Sequence, residues 1–154
     1  MDLGYLYTSF EGRINRKRYW IAALILGIAT LVVMYLALLA VGGSLIFPDP
    51  HTRWTLFLIQ LLTLYPSAAL MVKRFHDRGR AGYFAALLLV PLISKGLTDA
   101  LGMTGNPLDQ NALDYVFLLI FLIIGIWFLV ELGFLRGTVG PNQYGPDPLE
   151  TSPR

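Results

Sequence analysis

YWIAALILGIATLVVMYLALLAV, residues 19–41, is a run of twenty-three residues without a single charge. As a helix rising about 1.5 Å per residue it reaches roughly 34 Å, enough to cross the hydrocarbon core of a bilayer. Three further apolar stretches follow it. Residues 54–72 are uncharged and carry only Gln60, Pro66 and Ser67 as interruptions, all tolerable in a buried membrane helix. Residues 83–101 form a third span if Pro91, Lys95 and Asp99 are accommodated within it, and residues 115–135 form a fourth that holds one charge, Glu131, close to its end. The expected fold is all-α: a polytopic bundle of four transmembrane helices in a single membrane domain over residues 1–154, with a tail at 136–154.

The composition agrees. Of 154 residues, 55% are hydrophobic and 14% charged, where soluble proteins carry about 25% charged residues. Cysteine is absent, which removes thiolate nucleophiles, disulfides and Cys-ligated metals. A formal charge of +2 gives no reason to expect nucleic-acid binding. The first span is too long for the ~7–15-residue core of a cleaved signal peptide and reads as a retained anchor. With no cysteine, and with Asp2 after Met1, acylation and myristoylation are not expected.

Charge placement sets the expected orientation. Arg13, Arg16, Lys17 and Arg18 precede the first span, Lys73, Arg74, Arg78 and Arg80 join the second to the third, and Arg136 and Arg154 lie in the tail. The other two connections hold only Arg53 and Lys95 beside Asp49, Asp99, Asp109 and Asp114. Because Lys and Arg resist translocation, both termini should be cytoplasmic. Tyr19, Trp20, Trp54, Tyr83 and Tyr115 open the spans as interfacial aromatics do.

Three polar segments converge on that side. FEGRINRKRYW (10–20) reads first as a topology anchor and also as a headgroup site in which Arg13, Arg16 and Arg18 grip phosphate through forked hydrogen bonds. VKRFHDRGRAGY (72–83) reads as a short hairpin or as a site in which Asp77 orients the His76 imidazole amid Lys73, Arg74 and Arg78. RGTVGPNQYGPDP (136–148) is dense in turn residues and is expected to form an ordered loop, with Asn142 and Tyr144 folded back onto the bundle. A metal site is not expected, since the other histidine, His51, falls on the opposite side of the membrane.

GRINRKRYW, KRFHDRGRAGY and GPNQYGPDP, in this order and separated by apolar spans, resemble the bacterial inner-membrane family known as domain of unknown function 805, the YhaH/YhaI-like proteins. The resemblance runs from about Phe10 to Pro148. It rests on Gly12, Arg13, Arg16 and Trp20, then Lys73, Arg74, His76, Asp77, Arg78 and Gly82, then Asn142, Tyr144, Gly145 and Pro148. One departure is Ala81-Gly82-Tyr83, where the family more often has Ser-Gly-Trp. The resemblance implies a small multi-pass protein of the bacterial inner membrane and leaves its function open; no cofactor is expected.

Polar residues inside the spans complete the candidates. Gln60 and Lys95 fall at similar depth, Asp99 is one turn beyond Lys95, and Glu131 is expected to pair with a basic residue of the cytoplasmic motifs. Small-residue spacings at Ala23/Gly27 and Gly133/Gly137 leave homo-oligomerisation open. Three functions follow. The first is a non-enzymatic module whose basic cap binds anionic lipid headgroups, a phosphate-bearing ligand or a membrane protein partner, so that Arg74→Ala loses the ligand and stays folded. The second is an oligomeric transporter or channel using Lys95, Asp99 and Glu131. The third is an enzyme on a lipid-borne substrate using His76 and Asp77.

Overall fold

The computed structural model describes residues 2–150; Arg154, counted above for orientation, lies outside them. Five α-helices follow one another: α1 (Leu3–Thr8), α2 (Arg16–Val41), α3 (Pro50–Asp77), α4 (Ala86–Ala100) and α5 (Ala112–Phe128). A 3-10 turn, Gly82–Ala85, leads into α4, and a π-helical turn, Leu129–Phe134, continues α5. Four of these segments are long and apolar enough to cross a membrane: Arg16–Val41, Pro50–Asp77, Gly82–Ala100 and Ala112–Phe134. Among the described residues the only β-type pairings are two isolated bridges.

Local chemistry fixes the helix ends. Asn15 caps α2 by accepting from Arg18 N at 2.9 Å, and Asp49 caps α3 through Thr52 N at 2.8 Å, with Pro50 in the first helical position. Asn111 and Asp114 form a reciprocal capping box on α5. Gly42, in the left-handed conformation, ends α2.

The helices are longer than the apolar runs that announce them, and this changes where the motifs lie. Arg16, Lys17 and Arg18 occupy the first turn of α2, and Lys73, Arg74, His76 and Asp77 form the last turn of α3. The connection between the second and third spans, read as a hairpin of about ten residues, is reduced to residues 78–81. A helical turn presents residues three and four apart on one face, so Lys73, Arg74 and Asp77 point inward together.

α3 is the central element, packing against α1, α2, α4 and the two one-turn segments. The buried side chains gather at the end of the bundle that carries the termini: one cluster joins Met71, Phe75, Ala85, Phe128 and Leu132, another Leu6, Ile14, Ala22 and Leu70. Phe75 sits at the middle of an aromatic group with Phe84, Trp127 and Phe128, at centroid distances of 5.3–5.9 Å. Along α2 and α5, Leu24, Ile28, Leu31, Leu36, Leu122, Ile123 and Ile126 face outward and are exposed, the surface that lipid covers in a membrane protein.

Candidate functional site

The three polar motifs meet at the terminal end of the bundle in one hydrogen-bonded assembly. Its organising problem is the end of the last helix, where successive backbone carbonyls have no helical partner and the helix dipole is negative. Side chains from α2 and α3 supply the donors. Arg74 Nε donates to Leu132 O at 2.7 Å, Trp20 Nε1 to Gly133 O at 3.2 Å, Arg16 Nη1 to Phe134 O at 2.9 Å and Arg74 Nη2 to Leu135 O at 2.5 Å. Arg78 Nη1 donates to the next carbonyl, Arg136 O. Five consecutive acceptors are thereby satisfied by four residues of the two basic motifs.

Asp77 stands at the centre. Its Oδ1 accepts from Arg13 Nε at 3.2 Å, and its Oδ2 pairs with Arg74 Nη1. Arg13 uses its remaining nitrogens to hold the tail, donating to Thr138 O at 2.7 Å, Gly140 O at 2.8 Å and Gly145 O at 3.2 Å. Arg13, Arg74 and Asp77 are 5%, 0% and 2% exposed, so the two cations and the anion share a water-poor interior in which each is paired. Gly137 makes this possible: a Cβ there would lie 2.1 Å from Asp77 Oδ2.

Lys73, also fully buried, plays the same part for α1. Its ammonium donates to Tyr5 O at 2.5 Å and to Leu6 O and Ser9 O, each at 2.7 Å, capping the short helix and fixing it to α3. Tyr7 Oη donates to Ala22 O at 3.0 Å and Tyr65 Oη to Thr8 O at 2.9 Å, tying α1 to α2 and α3. At six residues, α1 is too short to show a periodic pattern, and only Asp2, whose side chain accepts from Tyr5 N, marks its start.

The tail is an ordered loop as far as the described residues go. Tyr144 stacks on His76 with ring centroids 3.8 Å apart, and Asn142 Nδ2 donates to His76 O at 3.0 Å and Thr138 Oγ1 at 2.9 Å. His76 Nδ1 lies 3.2 Å from Gly12 O; a carbonyl only accepts, so this nitrogen carries the proton. The expected His76–Asp77 pairing is absent, because neighbours on a helix point about 100° apart and the Asp77 carboxylate turns to the two arginines. Arg74, expected to hold a ligand and to be dispensable for folding, has every side-chain nitrogen bonded inside the protein.

Glu131 pairs with basic residues of the second motif: Oε1 accepts from Arg80 Nε at 2.7 Å and Arg78 Nε at 3.1 Å. The Gly133/Gly137 spacing serves contacts within the chain, since Gly133 packs against Trp20 and Gly137 against Asp77. At the opposite end of the bundle, Lys95 Nζ lies 2.5 Å from Asp99 Oδ1 and 3.5 Å from Asp114 Oδ1, while Gln60 Nε2 donates across to Leu92 O at 2.6 Å. Lys95 and Asp99 line one cavity there with Gln60, and Glu131 does not border it.

A family model described as "Protein of unknown function (DUF805)" matches residues 7–146, which includes the first two motifs and the third as far as Pro146. The chain belongs to this family. It is 35% identical over 141 residues to the uncharacterized protein YiiR of Escherichia coli K12, covering 90% of this chain and 85% of that one. It is 30% identical to the inner membrane protein YhaI of the same organism, over 92% of this chain and 87% of the relative. Inner membrane protein YhaH, also of that strain, is 25% identical with 92% and 88% covered. No solved structure matches the chain. This DUF805 protein has four helices long and apolar enough to cross a membrane, and the assembly around Asp77 is where its three polar motifs meet.

Proposed function

We propose that this DUF805 protein is a non-enzymatic module of the bacterial inner membrane, with both termini cytoplasmic, whose cationic collar binds anionic lipid headgroups. The observation that carries this reading is the division of labour among the basic residues. Arg13, Lys73 and Arg74 are buried and spend their donors on carbonyls and Asp77, whereas Arg16, Lys17, Arg18 and Arg136 are exposed beside them and have no carboxylate partner among the described residues.

The collar stands where it costs the fold. Three cations in the first turn of α2, with no acidic residue there, oppose the helix dipole by about 0.3–1 kcal/mol each. An anion at that turn reverses the sign, gaining from both the dipole and the charges. The buried residues of the motifs act as scaffold, fixing α2 against α3 and the tail so that the collar has a defined shape. The names of YhaI and YhaH as inner membrane proteins and the concentration of basic residues at the terminal end support the location and orientation.

The test is native mass spectrometry of protein extracted in dodecyl maltoside and titrated with phosphatidylglycerol. Wild type is expected to retain the lipid, and a variant combining K17Q, R18Q and R136Q to lose most of it while its melting temperature moves little. Equal retention by the triple variant overturns the reading.

A further inference from the structure

We infer that the other end of the bundle holds a separate site for a zwitterion of the phosphoethanolamine type, in which an ammonium and a phosphate lie a few atoms apart. A cavity of about 300 Å³ opens there between α3, α4 and the α4–α5 connection, lined on its polar side by Arg53, Gln60, Lys95, Asp99, Asn106 and Asp114. This is the size of a small polar ligand and too large to be a packing defect.

The hydrogen bonds already made in the cavity determine what it lacks. Arg53 Nε donates to Pro48 O at 3.0 Å, and the two terminal nitrogens have no partner among the described residues. They are held at the C-terminal end of α4, where Gly102 in the left-handed conformation lets the guanidinium lie close: a Cβ there would be 2.9 Å from Nη1. This is a forked donor without an acceptor, suited to phosphate or carboxylate.

Across the cavity the balance has the opposite sign. One ammonium, Lys95, serves two carboxylates, Asp99 at 2.5 Å and Asp114 at 3.5 Å. Asp114 Oδ2 accepts from Gly105 N at 2.8 Å and Asn111 N at 3.0 Å, and Asp99 Oδ1 accepts from Lys95 and from Thr104 Oγ1. Asp99 Oδ2 and Gln60 Oε1 accept from no donor among the described residues. The lining is therefore neutral in sum and divided in place, with a cation lacking an anion at Arg53 and a net negative group made of Lys95, Asp99 and Asp114. A single anion or a single cation answers half of this; a zwitterion answers both.

Depth and apolar lining favour phosphate over a free amino acid. Trp54 and Tyr115, near the ends of their helices on this side, have the position of interfacial aromatics, at the level of lipid headgroups. Leu45, Leu56 and Phe57 form an apolar wall on which the glycerol end of a lipid can rest. The headgroup of a zwitterionic phospholipid and free phosphoethanolamine share the required chemistry.

The experiment uses the full chain, delipidated in dodecyl maltoside, and reads binding by native mass spectrometry with dihexanoyl phosphatidylethanolamine, dihexanoyl phosphatidylglycerol and O-phosphoethanolamine as probes. The ethanolamine lipid is expected to bind about tenfold more tightly than the glycerol lipid at this site. R53Q and D99N should each lower its binding about tenfold. Because either substitution could disturb the fold, R53K keeps the charge without the fork and L45W narrows the mouth; both should weaken binding while melting at the wild-type temperature. Competition by O-phosphoethanolamine assigns recognition to the headgroup alone, and its absence assigns it to the intact lipid. Equal binding of both lipids, loss in R53Q without loss in D99N, or full binding in L45W overturns the proposal. The comparison is made in the K17Q, R18Q and R136Q background, so that glycerol lipid held by the collar at the other end is not read as binding here, and these changes should leave ethanolamine-lipid binding unchanged.

Discussion

The rings of His76 and Tyr144 lie parallel, 3.8 Å apart with 3° between their planes, and join the end of α3 to a loop nearly seventy residues later in the chain. The stack is partly exposed, so it contributes about 0.5–1.5 kcal/mol. Tyr144→Ala is expected to free the tail without unfolding the bundle. Hydrogen exchange should rise between Thr138 and Gly145 and remain slow through α3.

Lys73 is expected to be more costly to replace than any exposed lysine. In Lys73→Met the carbonyls of Tyr5, Leu6 and Ser9 lose a shared donor inside the protein, a loss of roughly 2–4 kcal/mol. Lys17→Met, at an exposed position, should stay within about 0.5 kcal/mol of wild type. Thermal unfolding in detergent measures both, and similar melting points would show that α1 is not held by the ammonium.

Arg13 and Asp77 form a buried pair at 3.1 Å, which makes them suited to a double-mutant cycle. Asp77→Asn alone leaves Arg13 and Arg74 facing each other without an anion and should cost about 3–5 kcal/mol. Arg13→Gln combined with it should cost less than the sum of the two, with a coupling of about 0.5–3 kcal/mol. Additivity within error would mean that the pair does not act as one.

Acid should loosen the tail through Asp147. Hydrogen bonds from Leu149 N and Gly140 N, with Arg13 and Arg136 nearby, hold its carboxyl below the usual aspartate value. A carboxyl whose pKa is lowered on folding stabilises above its unfolded value, about 3.9, and this contribution fades as pH falls through the folded value. The Gly140 amide resonance should therefore titrate below about pH 4 in wild type and lose that titration in Asp147→Asn.

Reporter fusions after Asn106 and after Arg154 should report opposite sides, with the terminal fusion active in the cytoplasm. A terminal reporter outside with the Asn106 reporter in the cytoplasm would invert the assignment of the collar.

Much of this was legible in the chain. Apolar runs located the four spans, and the glycine- and proline-rich segment around Asn142 and Tyr144 announced an ordered loop because few other conformations suit those residues. That Glu131 would pair with an arginine of the basic motifs followed from depth, as did the proximity of Gln60 and Lys95, while the choice of Arg78 and Arg80 did not. What stayed hidden was the orientation of Lys73 and Arg74. Basic residues at a membrane boundary ordinarily face water, and only the extra helical turn at the end of α3 reveals that these two point inward at backbone carbonyls. The partners were invisible for the same reason: a carbonyl oxygen belongs to every residue and leaves no mark in a sequence.

Arg13 reaches Gly140 and Gly145, 127 and 132 residues further along the chain. A nascent chain enters the membrane span by span, so the first motif waits through the synthesis of all four helices before its acceptors exist. Until the tail emerges, Arg13 lacks the carbonyls of Thr138, Gly140 and Gly145, while Arg74 already has its partners in Asp77 and at the end of the last helix. Completion of the protein and closure of its charged interior are thus one event, and a chain truncated before Thr138 would leave Arg13 with Asp77 as its partner and three of its bonds unmade, a mark by which an unfinished copy differs from a finished one.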